Sequence, residues 1–221
     1  MNLFSYKSML SRFLYLVADI VTLHVLWILC SIPIITIGAS TTALYYSCMK
    51  RIRTDEGYIY SNFFKSFKEN FKQSTIIWLV MCIVFALLFA DLSIATHING
   101  IMGKIMLFTS CFLFIPVTVI SIYIFPVQAK FKNTIFDNIK NAIFMSISSF
   151  PYTFLLIIIF ATFLFLGLFF VPFIGLMIIC GFGLYGYITS SVFVQVFRKY
   201  LKDEQEQDIE KTDILNFNNF N

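Results

Sequence analysis

Two ionisable side chains lie inside an apolar stretch near the start of the sequence, and they are the first candidates for chemistry. Asp19 and His24 fall where a charge is costly, so each is a candidate member of a proton or ion relay. His24 is five positions after Asp19, which corresponds to about 140° around a helix, so the two side chains cannot share one face directly. Asp19 could instead pair with Thr22 or with a group on another helix. A helix-packing hydrogen bond, or a carboxylate at headgroup level, is the alternative to a relay.

A break in the apolar pattern follows these residues. Residues 33–43 read PIITIGASTTA and combine a proline, a glycine and three threonines. Irregular backbone at membrane depth faces protein or water, so this segment could line a substrate path. Small residues also let helices approach closely, so it could be a tight turn that feeds a closely packed helix. The candidate intramembrane polar or packing site consists of Asp19, His24, Pro33, Thr36, Gly38, Thr41 and Thr42.

Signatures of catalytic and metal sites are absent from the sequence. There is no G-x-S-x-G, no H-E-x-x-H and no Walker loop, and the two histidines are 73 positions apart. The five cysteines are scattered through apolar stretches without a C-x-x-C pair, which is typical of buried apolar residues rather than of metal or redox chemistry. We therefore expect no enzyme activity, no catalytic, metal or cofactor-binding residues, and no cofactor.

The composition explains which elements must position these residues. Of the 221 residues, 59% are apolar and only 13% are charged, whereas a soluble domain is about 45–50% apolar and about 25% charged. A single soluble core of this size could not bury that much apolar surface. The composition excludes a disordered chain and a disulfide-rich secreted domain, and it argues against an ordinary cytosolic enzyme. It predicts a polytopic membrane protein whose basic residues report orientation rather than nucleic-acid binding.

Charge-free runs locate the membrane segments, because a span needs roughly 20 apolar residues. We predict an all-α transmembrane bundle with six, alternatively five, membrane segments. Residues 34–49 are the ambiguous segment, since they could be a short span or a re-entrant or interfacial helix. Gly167, Pro172 and Gly175 divide the last apolar run into a hairpin. The predicted spans are about 13–32, 34–49, 74–94, 105–127, 151–170 and 173–196.

The positions of lysine and arginine favour one orientation. Six crossings with both termini inside place 15 of the 16 basic residues in the cytoplasm, and five crossings with the N-terminus outside place 13 there. Both arrangements obey the positive-inside rule. We prefer six crossings because they also keep Lys7 and Arg12 inside, and we read the first apolar helix as an uncleaved span.

Two amphipathic segments lie between the predicted spans, at about 61–73 and 131–144. The first sets a phenylalanine face against Lys65, Lys68 and Lys72, which are candidate lipid-headgroup contacts if the helix lies in the interface. Packing of the phenylalanine face on other spans is the alternative, and both can hold. The second segment places Phe136, Ile143 and other apolar residues on one arc. The order span, amphipathic helix, span thus occurs twice, either as an internal repeat or as two similar cytoplasmic loops.

The end of the chain differs in composition from the rest. Residues 1–200 form a single predicted membrane domain, and residues 201–221 are acidic and poor in apolar side chains. We predict a solvated, mobile cytoplasmic tail there.

Several stretches resemble a known family. They are residues 26–27 (LW), 31–39 (SIPIITIGA), 41–46 (TTALYY), 63–74 (FFKSFKENFKQS) and 125–126 (FP). Together they resemble the signature of the YesL family of bacterial membrane proteins, a domain of unknown function, over most of residues 1–200. The resemblance implies a multi-pass protein of the bacterial plasma membrane. It carries no catalytic residues over to this sequence.

The resemblance also implies a setting, because similar members occur mainly in Gram-positive bacteria beside genes of carbohydrate uptake or polysaccharide degradation. We therefore expect a non-enzymatic accessory or assembly component associated with carbohydrate uptake. Its expected partners are the lipid bilayer and a transporter permease subunit or a second copy of the chain, and no nucleic acid. The alternative is a small secondary transporter or permease that uses the break near Pro33–Gly38 and Asp19.

Overall fold

A computed structural model of the chain describes the backbone of residues 9–54 and 58–219, and side chains within 11–54, 58–170 and 173–200. Across these residues the structure is helical and contains no strand, which confirms the predicted all-α class. The elements in chain order are α1 (Met9–Ser31), a 3-10 turn (Ile34–Thr36), α2 (Ile37–Thr54), α3 (Ile59–His97), α4 (Ile101–Lys130), α5 (Ile135–Ser148), α6 (Phe150–Phe169), α7 (Val171–Leu176), a π-helical segment (Met177–Gly181) and α8 (Phe182–Asn219).

Five described segments are long and apolar enough to cross a membrane, so the chain is a multi-pass membrane protein. They are Ser11–Ser31, Ile59–His97, Ile101–Lys130, Phe150–Phe169 and Phe173–Tyr200.

The segment 34–49, which we predicted as a sixth and short span, is not among these five. It forms the 3-10 turn and most of α2, a helix of 18 residues of which ten are buried. The count of charge-free residues overstated its apolar character, because serine, threonine and glycine interrupt it and Lys50, Arg51 and Arg53 end it. Its small and polar side chains face other helices rather than lipid.

α2 runs back along α1 and is then followed by a second antiparallel partner. Trp27 and Thr41 are in contact near the turn, whereas Asp19 and Arg51 are in contact far from it. α2 is also antiparallel to the first half of α3, because Lys50 bonds Asn62 near their connection and Thr42 lies beside Ser74 far from it. α2 is therefore the inner helix of a three-helix arrangement, and α4 and α8 also pack against it.

α3 corrects the prediction of a separate interfacial helix at 61–73. Those residues and the predicted span 74–94 belong to one continuous helix of 39 residues, about 58 Å long at 1.5 Å per residue. No proline or glycine occurs between Ile59 and His97, so nothing local ends the helix where its pattern changes from amphipathic to apolar. Phe63 and Phe67 pack against a cluster from α1 and α2 that includes Leu23 and Leu44.

α5 has the length of the predicted segment 131–144 but lies four residues further along the chain. It begins at Ile135 because Thr134 caps it, with Oγ1 accepting a hydrogen bond from the Asp137 backbone N–H at 3.3 Å. The apolar arc that we placed on one face is divided by the structure. Ala142 is buried, whereas Phe136 is exposed.

The last hairpin turns at Phe170, between α6 and α7, and Pro172 lies in the first turn of α7. Gly167 and Gly175, which we expected to break the run, lie inside helices. The helical backbone of α8 continues through residue 219, so most of the predicted tail 201–221 extends the last helix. Its predicted mobility stays a prediction, as does the position of Lys7, which lies outside the described residues.

Candidate functional site

Asp19, the first candidate, forms an ion pair with Arg51 across α1 and α2. Arg51 Nε donates to Asp19 Oδ2 at 2.7 Å, and both side chains are mostly buried. Thr22, the other partner that we considered, does not receive this bond. The pair neutralises two charges that would be costly alone in an apolar bundle, and it joins α1 to α2 through residues that are 32 positions apart in the chain.

His24, the second candidate, is enclosed by α8 and the π-helical segment. Its side chain is 2% exposed, its Nε2 lies 3.0 Å from the Ile178 carbonyl oxygen, and its ring stacks on Phe182. In the neutral tautomer with a proton on Nε2, the histidine donates to a carbonyl of the π-helical segment. Nδ1 is buried without a hydrogen-bond partner in the described part of the chain. Asp19 and His24 therefore serve different contacts, as their spacing around the helix predicted.

Pro33 and Thr36 build the turn between α1 and α2. Thr36 Oγ1 lies 2.6 Å from both the Cys30 and the Pro33 carbonyl oxygens, so it binds the backbone at the end of α1. The Thr36 N–H donates to the Pro33 carbonyl at 2.8 Å and closes the turn. Ile34 remains linked to α3, because Trp78 Nε1 donates to its carbonyl oxygen at 2.9 Å.

Gly38, Thr41 and Thr42 hold α2 against its two neighbours. A Cβ on Gly38 would lie 2.6 Å from Trp78 Cβ and would overlap the Ser74 carbonyl, so only glycine permits this approach of α2 to α3. Thr42 Oγ1 lies 2.9 Å from Ser74 Oγ in the same contact. On the other side, Trp27 Nε1 donates to Thr41 Oγ1 at 3.1 Å. The break in the sequence is thus a turn that leads into a closely packed helix.

The C-terminal half of α2 faces α8 with buried groups that stay neutral. Burial raises the pKa of the Cys48 thiol from 9.0 to about 12. Burial raises the pKa of Tyr45 well above 10.0, and the neighbouring Tyr185 adds a smaller effect in the same direction. Cys48 is therefore a protonated packing residue rather than a reactive thiol.

A cluster of amides joins α3, α4 and α5, and we name Asn70, Gln73, Gln128 and Asn138 the amide cluster. Gln128 Nε2 donates to Gln73 Oε1 at 2.7 Å and to Asn70 Oδ1 at 3.2 Å. Asn138 Nδ2 donates to Gln128 Oε1. Gln128 and Asn138 are almost fully buried. The sequence analysis missed this cluster because amide side chains carry no charge, and Gln128 lies within a charge-free run that reads as a span.

The predicted headgroup contacts lie at the surface. Lys65, Lys68 and Lys72 are exposed on the first half of α3. Glu69 lies beside them and approaches Lys132 of the α4–α5 connection, with 3.6 Å between Oε2 and Nζ. The structure brings these lysines close to the amide cluster but not to the α2 turn.

Two cavities lie away from the candidate residues. One of about 410 Å³ lies between α3, α4 and α6 beside Ser110, which donates to Asp91. The other, of about 130 Å³, lies between α6 and α8 beside Phe163 and Gly181. Both are lined almost entirely by apolar side chains.

The arrangement around α2 is suited to joining helices. Five candidate residues have a polar side-chain atom, and each of these atoms bonds a group on another helix or a backbone carbonyl at the end of a helix. They are Asp19, His24, Thr36, Thr41 and Thr42. In the described residues, no group of three or more histidine, cysteine, aspartate or glutamate side chains is placed to hold a metal ion.

A comparison with family models agrees with the resemblance in the sequence. Residues 20–92 match a family described as "Protein of unknown function, DUF624", which is also known as YesL-like. The match covers the second half of α1, all of α2 and most of α3, and so includes every candidate residue of the α2 contacts except Asp19. The predicted resemblance is confirmed over these residues. No curated protein matches the chain, and no solved structure matches it.

Proposed function

We propose that this membrane protein is a non-enzymatic accessory or assembly component of the bacterial plasma membrane that supports a carbohydrate-uptake permease. The observation that carries the proposal is the use made of polar groups in α1 and α2. Asp19, His24 and Thr42 are engaged with Arg51, the Ile178 carbonyl and Ser74, respectively. Such groups stabilise a scaffold, whereas a transport path would need some of them to face a water-filled passage.

The partner is assigned from two further observations. The association with sugar uptake rests on the family resemblance, and the extensive exposed apolar surface gives room for a second membrane protein or a second copy of the chain. A permease subunit is the partner that joins these two observations.

The proposed orientation has both termini in the cytoplasm. Although α2 is not one of the five apolar spans, it returns along α1 inside the bundle towards the side where α1 begins. Gln73 of α3 bonds Gln128 near the end of α4, and the ends of α4 and α8 meet near Phe131 and Phe197. The basic residues at the end of α2 and on the first half of α3 therefore lie towards the end of the bundle where α4 finishes. The positive-inside rule places that end in the cytoplasm.

A deletion experiment tests the accessory role. Cells that lack the chain should contain less of the partner permease in their membranes and take up its sugar more slowly. Wild-type chain should restore both, and the permease should copurify with it in a fixed ratio. Unchanged permease level and unchanged uptake after deletion would contradict the proposal.

A labelling experiment tests the orientation. Ser8→Cys in a chain whose native cysteines are replaced should react with an impermeant maleimide only after the cells are permeabilised. Reaction in intact cells would place the N-terminus outside and refute the proposed orientation.

A further inference from the structure

α5 presents its polar and apolar residues in an unusual way. It buries Asn138, which is 0% exposed, and leaves Phe136 at its outer surface, 79% exposed. Phe144 and Ile147 are also exposed on that side, at positions that repeat with helical spacing. An amphipathic helix packed on a protein core normally turns its large apolar side chains inward. The outward face of α5 therefore requires an apolar environment outside the described bundle.

The amide cluster fixes this orientation of α5. Asn138 donates to Gln128, and Gln128 donates in turn to Gln73 at 2.7 Å. A rotation that buried Phe136 would remove Asn138 from the cluster and leave buried amide groups of α4 without partners, which is costly. The exposed face is consequently a fixed feature of the fold.

The connections of α5 fix its depth. α4, a candidate span, ends at Lys130, and α6, another candidate span, begins at Phe150 after the single residue Ser149. Both ends of α5 are thus attached to ends of spans. Its exposed face continues through Ile147 and Phe150 to Phe154 on the surface of α6. Because that surface of α6 meets hydrocarbon, the same medium reaches the face of α5.

Positive charge accompanies this face. Lys140 is exposed and lies four positions from both Phe136 and Phe144, in the same stripe. Lys132 is exposed in the preceding connection beside Glu69, and Lys68 and Lys72 are exposed on the adjacent part of α3. These four lysines outnumber the two exposed carboxylates nearby, Glu69 and Asp137. Lysine stems can lie along apolar surface while their ammonium groups reach lipid phosphates. This combination fits a leaflet that contains anionic lipid better than it fits another apolar protein surface.

We propose that α5 is an interfacial anchor whose outward face, Phe136, Lys140, Ile143, Phe144 and Ile147, binds the headgroup boundary of a leaflet containing anionic lipid. The rings enter the boundary with the acyl chains, and Lys140 binds phosphate. The amide cluster transmits this position to α3 and α4. This anchor is independent of the proposed association with a permease.

Spin labels at two adjacent positions test the anchor. The purified full chain with its native cysteines replaced by alanine carries a label at Ile147→Cys or, as the matched control, at Ser148→Cys, which is also exposed but about 100° further around the helix. In phosphatidylglycerol-containing liposomes, the label at position 147 should be relaxed more by oxygen than by a water-soluble nickel complex. The label at position 148 should show the opposite preference.

Two results at position 147 would overturn the proposal. A preference for the nickel complex would place the face in water. Protection from both reagents would show that a second copy of the chain covers it. Unchanged helical content by circular dichroism shows that each labelled variant is folded.

The lipid composition tests the role of Lys140. Lys140→Gln should lower the oxygen-to-nickel ratio at position 147 by up to about fivefold in phosphatidylglycerol liposomes, and Lys140→Arg should retain it. Phosphatidylcholine liposomes should give the lower ratio for all three chains. Equal ratios in both lipids for the chain with Lys140 would overturn the anionic-lipid assignment.

Discussion

The half of the bundle around α2 and the opposite half, which contains the end of α3 and the start of α4, are held together differently. Around α2, an ion pair, a buried histidine and a close glycine contact specify how helices meet, and in the same half the amide cluster does so for α3, α4 and α5. In the opposite half, α3 and α4 are joined mainly by apolar side chains such as Phe85, Phe89 and Phe114, and by the bond between Asp91 and Ser110. An apolar cavity of about 410 Å³ also lies there.

This difference shows where the sequence specifies helix partners. Lipid is as apolar as leucine, so apolar contacts alone give little preference for one neighbour over another within a membrane. Close packing and polar bonds supply that preference. Substitutions should therefore have large effects around α2 and small effects in the other half.

The largest contrast should appear in cysteine reactivity. Burial raises the pKa of Cys48 from 9.0 to about 12, so its thiolate population at a given pH should be about a thousandfold below that of an ordinary thiol. Cys111 in the other half is exposed. Cys111 lies on the detergent-facing surface of the span α4, so in detergent the apolar reagent N-ethylmaleimide should label it in the folded chain. The same reagent should label Cys48 only after unfolding, as peptide mass spectrometry can measure. Equal labelling of both in the folded chain would contradict the burial of α2.

The raised pKa of Cys48 also makes the stability of the fold depend on pH. Because folding keeps the Cys48 thiol protonated, its contribution is complete below pH 9 and is lost as the pH rises towards 12. Cys48→Ala should lessen the alkaline loss of stability.

The next largest effect should come from glycine substitutions. Gly38→Leu should lower the unfolding free energy by about 3 kcal/mol, because backbone of α3 and Trp78 occupy the required space. Gly175→Leu is the matched control, since no atom lies within 4 Å of a Cβ there. It should change the unfolding free energy by less than about 0.5 kcal/mol. Detergent unfolding followed by circular dichroism measures both, and similar losses would remove the distinction.

Asp19→Asn should have an intermediate effect. Removing this charge breaks the mostly buried ion pair between Asp19 and Arg51, which should cost about 2 kcal/mol, less than for a fully buried pair. Glu69→Gln disrupts the exposed pair with Lys132 and should cost under about 0.5 kcal/mol. A double-mutant cycle with Arg51→Gln measures the coupling free energy of Asp19 and Arg51, and one with Lys132→Gln measures that of Glu69 and Lys132. Coupling no larger for Asp19 than for Glu69 would show that the pair does not hold α1 to α2.

The smallest contrast concerns hydrogen bonds. Asn138→Leu should cost about 1–2 kcal/mol, because Gln128 Oε1 loses its donor in a buried site. Ser110→Ala in the other half should cost about 0.6 kcal/mol, a common value for such bonds within membranes. The same unfolding assay compares them, and a larger loss for Ser110→Ala would reverse the comparison.

The sequence predicted local properties well and long-range partners poorly. Spans were recognisable because charge-free length is a local property, and Gly38 and Thr42 were recognisable because small residues interrupt an apolar run. The pairing of Asp19 with Arg51 depends on how α1 and α2 fold together, and no local pattern contains it. Likewise, Asn138 falls outside the apolar arc of the second amphipathic segment, and periodicity cannot tell whether that side of a helix faces solvent or other helices. The continuity of α3 was predictable from the absence of proline and glycine, a signal that the change of pattern at Ser74 obscured.

The central claim is that the polar groups of α1 and α2 hold the bundle together rather than form a transport path. Purified chain in liposomes, assayed for sugar and proton flux beside Asp19→Asn, tests it most directly. The account predicts no flux above that of empty liposomes for either chain, together with lower stability of Asp19→Asn. Flux through the wild-type chain that Asp19→Asn abolishes without unfolding would contradict the account and establish a transporter.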